Sequence, residues 1–460
     1  MARGTVAVIG GGGSGVLVAR EVLRCTGDRV VLVEPGEPGG GVAYGAAKPW
    51  HVLNSRAGAM SADPDDPAHF ARWAGADADA FLPRPLYGRY LRAVLHEAVA
   101  AHPGRFQHCR ARATAVAAGR VHLDTGAVVR ADQVVLATGS PAGAQPAAVP
   151  PALRSHPGYV PDPWLPGALE AIPGDVPVLL IGAGLTAIDV ALTLTAGDPG
   201  AAGGARTAPV VAVSRRGLLP LGHTASAARP LKPALDGCAR LRDVIRVVRA
   251  AAGAAADWRA VVDGLRPDLD RLWAALTPAE QDAFLRHLAR PWECHRHRMA
   301  PEVATKITAL RAGGAFVVRA GGLRGLVAGA GGGLIAELAD GPRRFGAVVN
   351  CSGPGRLPAA ADPLVRTLLD AGLARTGPHG LGLDIDDAGR LRDRAGAPGG
   401  IWLIGPLRRG AQWETTAMPE IRTQARRLAT TPAGEASRFG NTPDDMVSAF
   451  PQLTGALTGI

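Results

Sequence analysis

A run of glycines, Gly10-Gly11-Gly12-Gly13-Ser14-Gly15, stands between an apolar stretch, Thr5–Ile9, and the helix-patterned Val16–Leu23. Residues of this type at this spacing handle phosphate. Gly10 permits a tight turn, Gly12 lets backbone amides approach a pyrophosphate, and Gly15 lets the helix pack on the strand. Ser14 lies in the same loop, and the helix start offers unpaired N–H groups and the positive end of its dipole. Glu34 closes the next apolar stretch, Arg29–Val33. A carboxylate there accepts hydrogen bonds from ribose hydroxyls and repels a 2′-phosphate, so FAD or NAD fits. A glycine-rich turn with a surface glutamate is the plain alternative.

The pattern recurs once. Val178–Ile181 runs into Gly182-Ala183-Gly184-Leu185-Thr186-Ala187, with Ala187 in place of the third glycine. The following apolar stretch, Pro209–Val213, ends in Ser214-Arg215-Arg216 where the first unit has Glu34. A hydroxyl and two guanidiniums suit a 2′-phosphate, which a forked arginine grips well. NADPH is therefore expected over NADH; an ordinary basic strand end is the alternative. Two such loops a domain length apart are far more specific than one.

Loops of this kind work only between a strand and a helix, so the expected fold class is α/β, with two Rossmann-like dinucleotide-binding domains for FAD and NADPH. The first part of the FAD domain is expected over 1–173. The NADPH domain follows over 174–345, with a helical insertion over about 229–310, where Leu241, Val244, Ile245 and Val248 keep helical spacing. The chain then returns to the FAD domain over 346–429, leaving a tail over 430–460.

The pair of loops resembles the FAD/NAD(P)-binding proteins with two dinucleotide-binding domains, and within them the flavin-dependent monooxygenases of the N-hydroxylating type. Asp132-Gln-Val-Val-Leu-Ala137-Thr138-Gly139 matches the D-x-x-x-L-A-T-G segment of such enzymes, with Ser140 where they often carry tyrosine. Ile401–Pro406, including Gly405, resembles their last FAD-domain strand. Glu414-Thr415-Thr416-Ala417-Met418-Pro419 resembles the start of the closing helix, whose positive end faces the flavin pyrimidine. Thr415 or Thr416 is expected to cap that helix, with Pro419 in its first turn. Gly41–Gly45 and His51–Ser55 resemble segments that wrap the flavin, which places Tyr44 near the cofactor and gives Asn54 a hydrogen bond to it; a well-packed loop is the alternative. Val348–Pro354 resembles the second crossing between domains, with Cys351 a buried structural thiol. The F-x-G-x-x-x-H-x-x-x-W fingerprint of Baeyer–Villiger monooxygenases is absent.

The resemblance implies a soluble oxidoreductase in which NADPH reduces FAD and a C4a-hydroperoxyflavin passes oxygen to a small nucleophilic substrate, an amine or amino acid by analogy. The cofactor carries the chemistry, so no catalytic base is required. Asn54 and His297 are the candidates for tuning the flavin or holding the nicotinamide. A flavin reductase or dehydrogenase without oxygen insertion shares every motif, and a non-catalytic nucleotide sensor is a third reading.

Pro291-Trp-Glu-Cys-His295-Arg296-His297-Arg298 is the most unusual stretch of the insertion. Read as extended chain, it puts His295 and His297 on one face. That leaves open an anion-binding surface, a structural hydrogen-bond cluster or a metal site, the last without an evident carboxylate partner, so no metal is expected.

Composition sets the outer limits. The 460 residues carry a net charge of +10, but only three of the 50 basic residues are lysines and the arginines are scattered, which argues against nucleic acid. Five cysteines without a C-x-x-C pair argue against structural disulfides and dithiol chemistry. Without a signal segment or a membrane-length apolar run, the expected setting is cytoplasmic.

Overall fold

The computed structural model describes residues 4–195 and 206–431, so the expected tail lies almost entirely outside the described residues. The first sheet begins with β1 (Thr5–Ile9), whose Val6, Ala7, Val8 and Ile9 are all buried because both faces are covered, Val6 and Val8 by helices and Ala7 and Ile9 by a small antiparallel meander and a later helix. After α1 (Gly13–Cys25), β2 (Arg29–Val33) pairs with β1 in parallel, Thr5 opposite Arg29. Helices α2 (His69–Ala74) and α3 (Arg84–Ala101) precede β3 (Phe106–Cys109), which pairs with β2. An antiparallel meander of β4 (Ala113–Ala117), β5 (Arg120–Leu123) and β6 (Val128–Arg130) leads to β7 (Gln133–Leu136) on the other side of β1.

The second sheet repeats the plan. It contains β8 (Tyr159–Val160), β9 (Val178–Ile181), then α4 (Leu185–Thr195) and β10 (Val210–Val213). Five short helices follow: α5 (Leu241–Ala254), α6 (Trp258–Gly264), α7 (Leu269–Ala275), α8 (Pro278–His287) and α9 (Ala289–Arg296). Val244 and Val248 pack on Leu235, Leu265, Leu269 and Leu272, so the insertion has a small core of its own. Helix α10 (Pro301–Ala312) returns to the domain core through Val303 and Ile307. Strand β11 (Phe316–Arg319), a meander of β12 (Gly325–Ala328), β13 (Leu334–Leu338) and β14 (Gly341–Phe345), and β15 (Ala347–Asn350) complete the unit in the order β11-β10-β9-β15-β8.

Past α11 (Pro363–Asp370), β16 (Arg390–Arg392) and β17 (Pro398–Leu403) rejoin the first sheet beside β7, and α12 (Met418–Thr430) packs on α1. The first sheet therefore reads β16-β17-β7-β1-β2-β3.

Sheet membership moves both expected domain boundaries. β8 lies before residue 173 and β15 after 345, yet both belong to the second sheet: β15 pairs with β9 and β8 with β15. The central strand β9 needs a parallel neighbour on each edge, and β15 supplies the second one. The crossings occur where two connecting segments run side by side, Gly143 bridging Pro354. Ala144 N donates to Gly353 O at 3.0 Å and Gly355 N to Ala142 O at 2.8 Å. Buried Asn350 ties them, its Nδ2 donating to Ala144 O at 3.1 Å and to Pro161 O at 3.3 Å.

Across the seam between the units, Arg84 of α3 pairs with Asp189 of α4 at 2.8 Å. His51 Nε2 lies 2.8 Å from Thr193 Oγ1 and 3.2 Å from Asp189 O. Burial foremost lowers the His51 pKa, so this contact is made by a neutral ring.

Candidate functional site: two dinucleotide cradles

Gly10 takes φ +103°, and a Cβ there would lie 2.4 Å from Ala137 O, because the end of β7 crosses directly beneath the turn. Gly182 repeats this at φ +122°, with Cys351 O of the crossing segment 2.4 Å from its Cβ position. Gly15 is held by packing: a Cβ would lie 1.8 Å from Gly10 O. Ala187 at the equivalent place of the second loop is fully buried and tolerated. The middle glycines differ in kind. The nearest atom to a Gly12 Cβ is Gly41 Cα at 3.8 Å, and to a Gly184 Cβ it is Arg290 Nη1 at 3.8 Å. These two positions face room, which is what a phosphate group pressed against backbone requires.

Gly12 is the N-cap of α1, with no side-chain cap and no acidic residue in the first turn, so the helix start keeps its positive field. Ser14 is buried in that turn and abuts Gly405, whose own Cβ position is 2.8 Å from Ser14 Oγ. Glu34 receives Gly11 N at 2.6 Å and Gly36 N at 2.9 Å, one on each oxygen. A carboxylate has lone pairs beyond these two, so ribose hydroxyls still find acceptors. Thr138 Oγ1 is sealed from solvent with no hydrogen-bond partner, and the Cβ direction of neighbouring Gly139 meets nothing within 4 Å. A buried hydroxyl without a partner beside open space fits a missing ligand group. The residues present thus fit an adenine dinucleotide at the first loop.

Tyr44 sits in the turn Gly41–Gly45, its Cε2 3.4 Å from a Gly13 Cβ and its ring 4.9 Å edge-on to Tyr87. Burial raises its phenol pKa, so it serves as a neutral wall. The Asn54 side-chain amide has no partner among the described residues, while the Asn54 backbone carbonyl accepts from His223 Nε2 at 3.2 Å. Burial and then Arg298 push His223 down to about 3, leaving a neutral ring with its proton on Nε2.

The closing helix departs from expectation at its cap. Its N-cap is Ala417, without a side-chain hydrogen bond; Thr416 is exposed, and fully buried Thr415 donates from Oγ1 to Gly405 O at 3.0 Å. The hydroxyl is drawn away because Gln424 Nε2 donates to it at 2.8 Å while Gln424 Oε1 receives Gly405 N at 3.0 Å, fixing the strand end instead. The first N–H groups of α12 are left for a ligand, and Pro419 does lie in the first turn.

At the second loop, Ser214 Oγ accepts from Gly217 N at 3.0 Å, bending the chain after β10. Arg215 is exposed, and its guanidinium has no partner among the described residues, although its backbone carbonyl accepts from Gly321 N at 3.3 Å. Arg216 donates to His287 O at 2.8 Å and Arg286 O at 3.3 Å, the terminal carbonyls of α8. The two arginines therefore part: Arg215 is available to a phosphate, and Arg216 holds the insertion. Leu185 and Thr186 open α4 immediately after Gly184.

The alternating histidines do not lie on extended chain: His295 is in the last turn of α9, and His297 is the residue that caps its C-terminus. Pro291 starts no strand but sits inside α9, and the chain leaves the helix between the two histidines, so the alternation of an extended strand does not place them. His295 Nδ1 lies 2.7 Å from Pro291 O and its ring packs on Trp258 at 4.8 Å. His297 follows the helix end; burial, then Arg296, Arg409, Arg266 and Arg290 push it down to about 3. Among the described residues no group of three or more His, Cys, Asp or Glu is arranged to hold a metal ion. Instead α9 bridges the units: Arg296 pairs with Glu414 at 2.7 Å and Arg409 with Glu293 at 2.7 Å, while Arg266 pairs with Glu420 of α12. Sequence reasoning missed Arg290 and these bridges, because they join segments 72 to 154 residues apart with no local motif.

The family model described as FAD-NAD(P)-binding matches residues 7–141. The N-terminal unit is an FAD-NAD(P)-binding domain. A comparison with curated proteins returns no match. Among solved structures, the reduced form of ornithine hydroxylase from Pseudomonas aeruginosa is similar at TM-score 0.61 and 14% identity, over 93% of this chain and 98% of that one. Ornithine N-hydroxylase from Kutzneria sp. 744, solved with reduced FAD, NADP+ and L-ornithine, is similar at TM-score 0.60 and 14% identity over the same shares. The FAD-bound cadaverine monooxygenase of desferrioxamine biosynthesis from Erwinia amylovora gives TM-score 0.62 and 14% identity, over 93% and 94%. At this identity the likeness is one of fold. All five cysteines are free, and no described helix is long and apolar enough to cross a membrane.

Proposed function

We propose that the chain is an FAD-dependent, NADPH-using monooxygenase acting on a small nucleophilic substrate, an amine or amino acid. The observation that carries the nucleotide part is the pair of cradles, each with a middle glycine facing room and the first with a buried, partnerless Thr138 hydroxyl beside it. The oxygen-inserting part is supported by likeness in fold over 93% of the chain to two ornithine hydroxylases and a cadaverine monooxygenase.

When bound, FAD supplies the redox chemistry, accepting two electrons from NADPH and activating dioxygen. The chain's own residues bind and orient. Gly12 and the start of α1 hold the pyrophosphate, Glu34 the ribose, and Thr138, Gly139 and Gly405 the edge of the cradle near α12. Thr415 fixes Gly405, and Ala417 opens the helix whose uncapped N–H groups favour negative charge on the ring. Gly184, Leu185 and Thr186 hold the second pyrophosphate; Ser214 and Arg215 meet the 2′-phosphate. The free amide of Asn54 serves the flavin. His297, kept neutral among arginines, offers a hydrogen bond without adding charge.

The test is oxygen accounting. FAD-loaded protein is supplied with NADPH, isotopically heavy dioxygen and a panel of small amines and amino acids, and product mass and peroxide are measured. A product that gains one heavy oxygen atom per NADPH is the expected result. NADPH consumption that yields only peroxide across the panel would instead identify a reductase without oxygen insertion.

A further inference from the structure

Arg290 of α9 lies against the second glycine loop although it belongs to the insertion, far along the chain. Its Nη2 donates to Ala183 O at 2.7 Å, inside the loop, and to Leu218 O at 2.6 Å, just past β10. These two carbonyls fix the plane of the guanidinium. Its Nη1 is then the nearest atom to the space in front of Gly184, 3.8 Å from where a Cβ would stand. That nitrogen has no hydrogen bond among the described residues; the nearest carboxylate oxygen, Glu293 Oε2, is 4.0 Å away, and Glu293 Oε1 is taken by Arg409 at 2.7 Å. An oriented guanidinium with an unused donor pair, facing the space in front of Gly184, is built to receive an anionic oxygen.

The geometry points to Arg290 as the pyrophosphate clamp of the second cradle, a positioning residue supplied by the insertion. It rests on the proposed NADPH site and divides the labour within it: Arg215 reads the 2′-phosphate, and Arg290 holds the diphosphate that every nicotinamide dinucleotide shares. The clamp also places the insertion in contact with the bound dinucleotide. From the same helix, Glu293 and Arg296 reach the FAD-closing segment, so one rigid element touches the phosphate loop of one cofactor and the helix start above the other.

The test uses the FAD-loaded full chain and the variants Arg290→Gln and Arg215→Ala. Glutamine still donates to backbone carbonyls but carries no charge, and Arg290→Lys serves as the variant that restores charge. Binding of NADP+ and of adenosine 2′-monophosphate, which has no diphosphate, is measured calorimetrically at several salt concentrations. Arg290→Gln is expected to weaken NADP+ by roughly ten- to hundredfold, to flatten its salt dependence, and to leave adenosine 2′-monophosphate unchanged. Arg290→Lys recovers part of the loss, and Arg215→Ala weakens both ligands. If Arg290→Gln binds NADP+ as the parent does, or weakens both ligands by the same factor, the clamp is refuted. A parent protein that binds neither ligand overturns the NADPH reading beneath it.

Discussion

Gly12 and Gly15 are three residues apart and lost for opposite reasons. Alanine at Gly15 drives its Cβ to 1.8 Å from Gly10 O, a backbone collision that side-chain motion does not relieve. Gly15→Ala is expected to cost at least about 3 kcal/mol and to give little folded protein. Alanine at Gly12 meets nothing closer than 3.8 Å, so Gly12→Ala should melt within a few degrees of the FAD-free parent yet purify without flavin. Melting curves and flavin absorbance separate the two; a flavin-loaded Gly12→Ala protein would count against the first cradle. Arg215 and Arg216 divide similarly. Arg215→Ala is expected to raise KM for NADPH by roughly ten- to hundredfold while leaving NADH alone, whereas Arg216→Ala should act weakly on NADPH because its guanidinium is spent on His287 O and Arg286 O. Steady-state oxidation of both nucleotides decides it. The sequence reveals that two arginines follow β10, but which of them is free depends on where α8 ends. That is a tertiary fact.

Among elements, the periodic ones were legible and the adaptive ones were not. Strands β1 and β9 are continuous apolar runs between glycines, and their helices follow at once, so both loops could be placed from residue order alone. Helix α9 misled because His295-Arg296-His297-Arg298 alternates like a strand. Only His295 and Arg296 of that stretch are helical, and contacts outside the stretch hold them: Arg296 and Glu293 of α9 reach Glu414 and Arg409, while buried Arg298, past the helix end, pairs with Asp263 at 2.5 Å. The cap of α12 misled for a related reason, since Thr415 is claimed by Gly405 and Gln424. The seam between α3 and α4 gives an element-scale prediction. Arg84 and Asp189 are 16% and 8% exposed, so removing one partner strands a largely buried charge. Asp189→Ala is expected to destabilise by about 3 kcal/mol, and Arg84→Met with Asp189→Leu to recover most of it. A melting temperature unchanged in Asp189→Ala would show that the pair carries no load across the seam.

At the scale of the whole molecule, the interrupted order of the two units was readable from the sequence of motifs, but its boundaries were not. β8 is two residues long and β15 overlaps Val348–Pro354, the segment that resembles the crossing, so only the pairing of β15 with β9 and of β8 with β15 shows that both belong to the second sheet. The insertion packs against the FAD-closing segment and leaves His223 and His297 neutral, each pushed down to about 3 by burial first and arginines second. In the unfolded chain such rings protonate near pH ~6.5. Between those values the unfolded state binds more protons, so stability falls as pH drops below about 6.5 and is fully present above it. Melting temperatures from neutral pH down to about 5 should decline, and His297→Gln should decline less steeply; parallel slopes would contradict a neutral His297.

The two cradles meet in one measurement, anaerobic titration of the FAD-loaded protein with NADPH and with NADH while the visible flavin band is followed. Stoichiometric bleaching by NADPH, with NADH far less effective, is the predicted result and places one dinucleotide in each loop with the 2′-phosphate read by Ser214 and Arg215. A flavin that stays oxidised with both nucleotides would contradict the assignment of the second loop, and equal bleaching by both would contradict the role of Arg215.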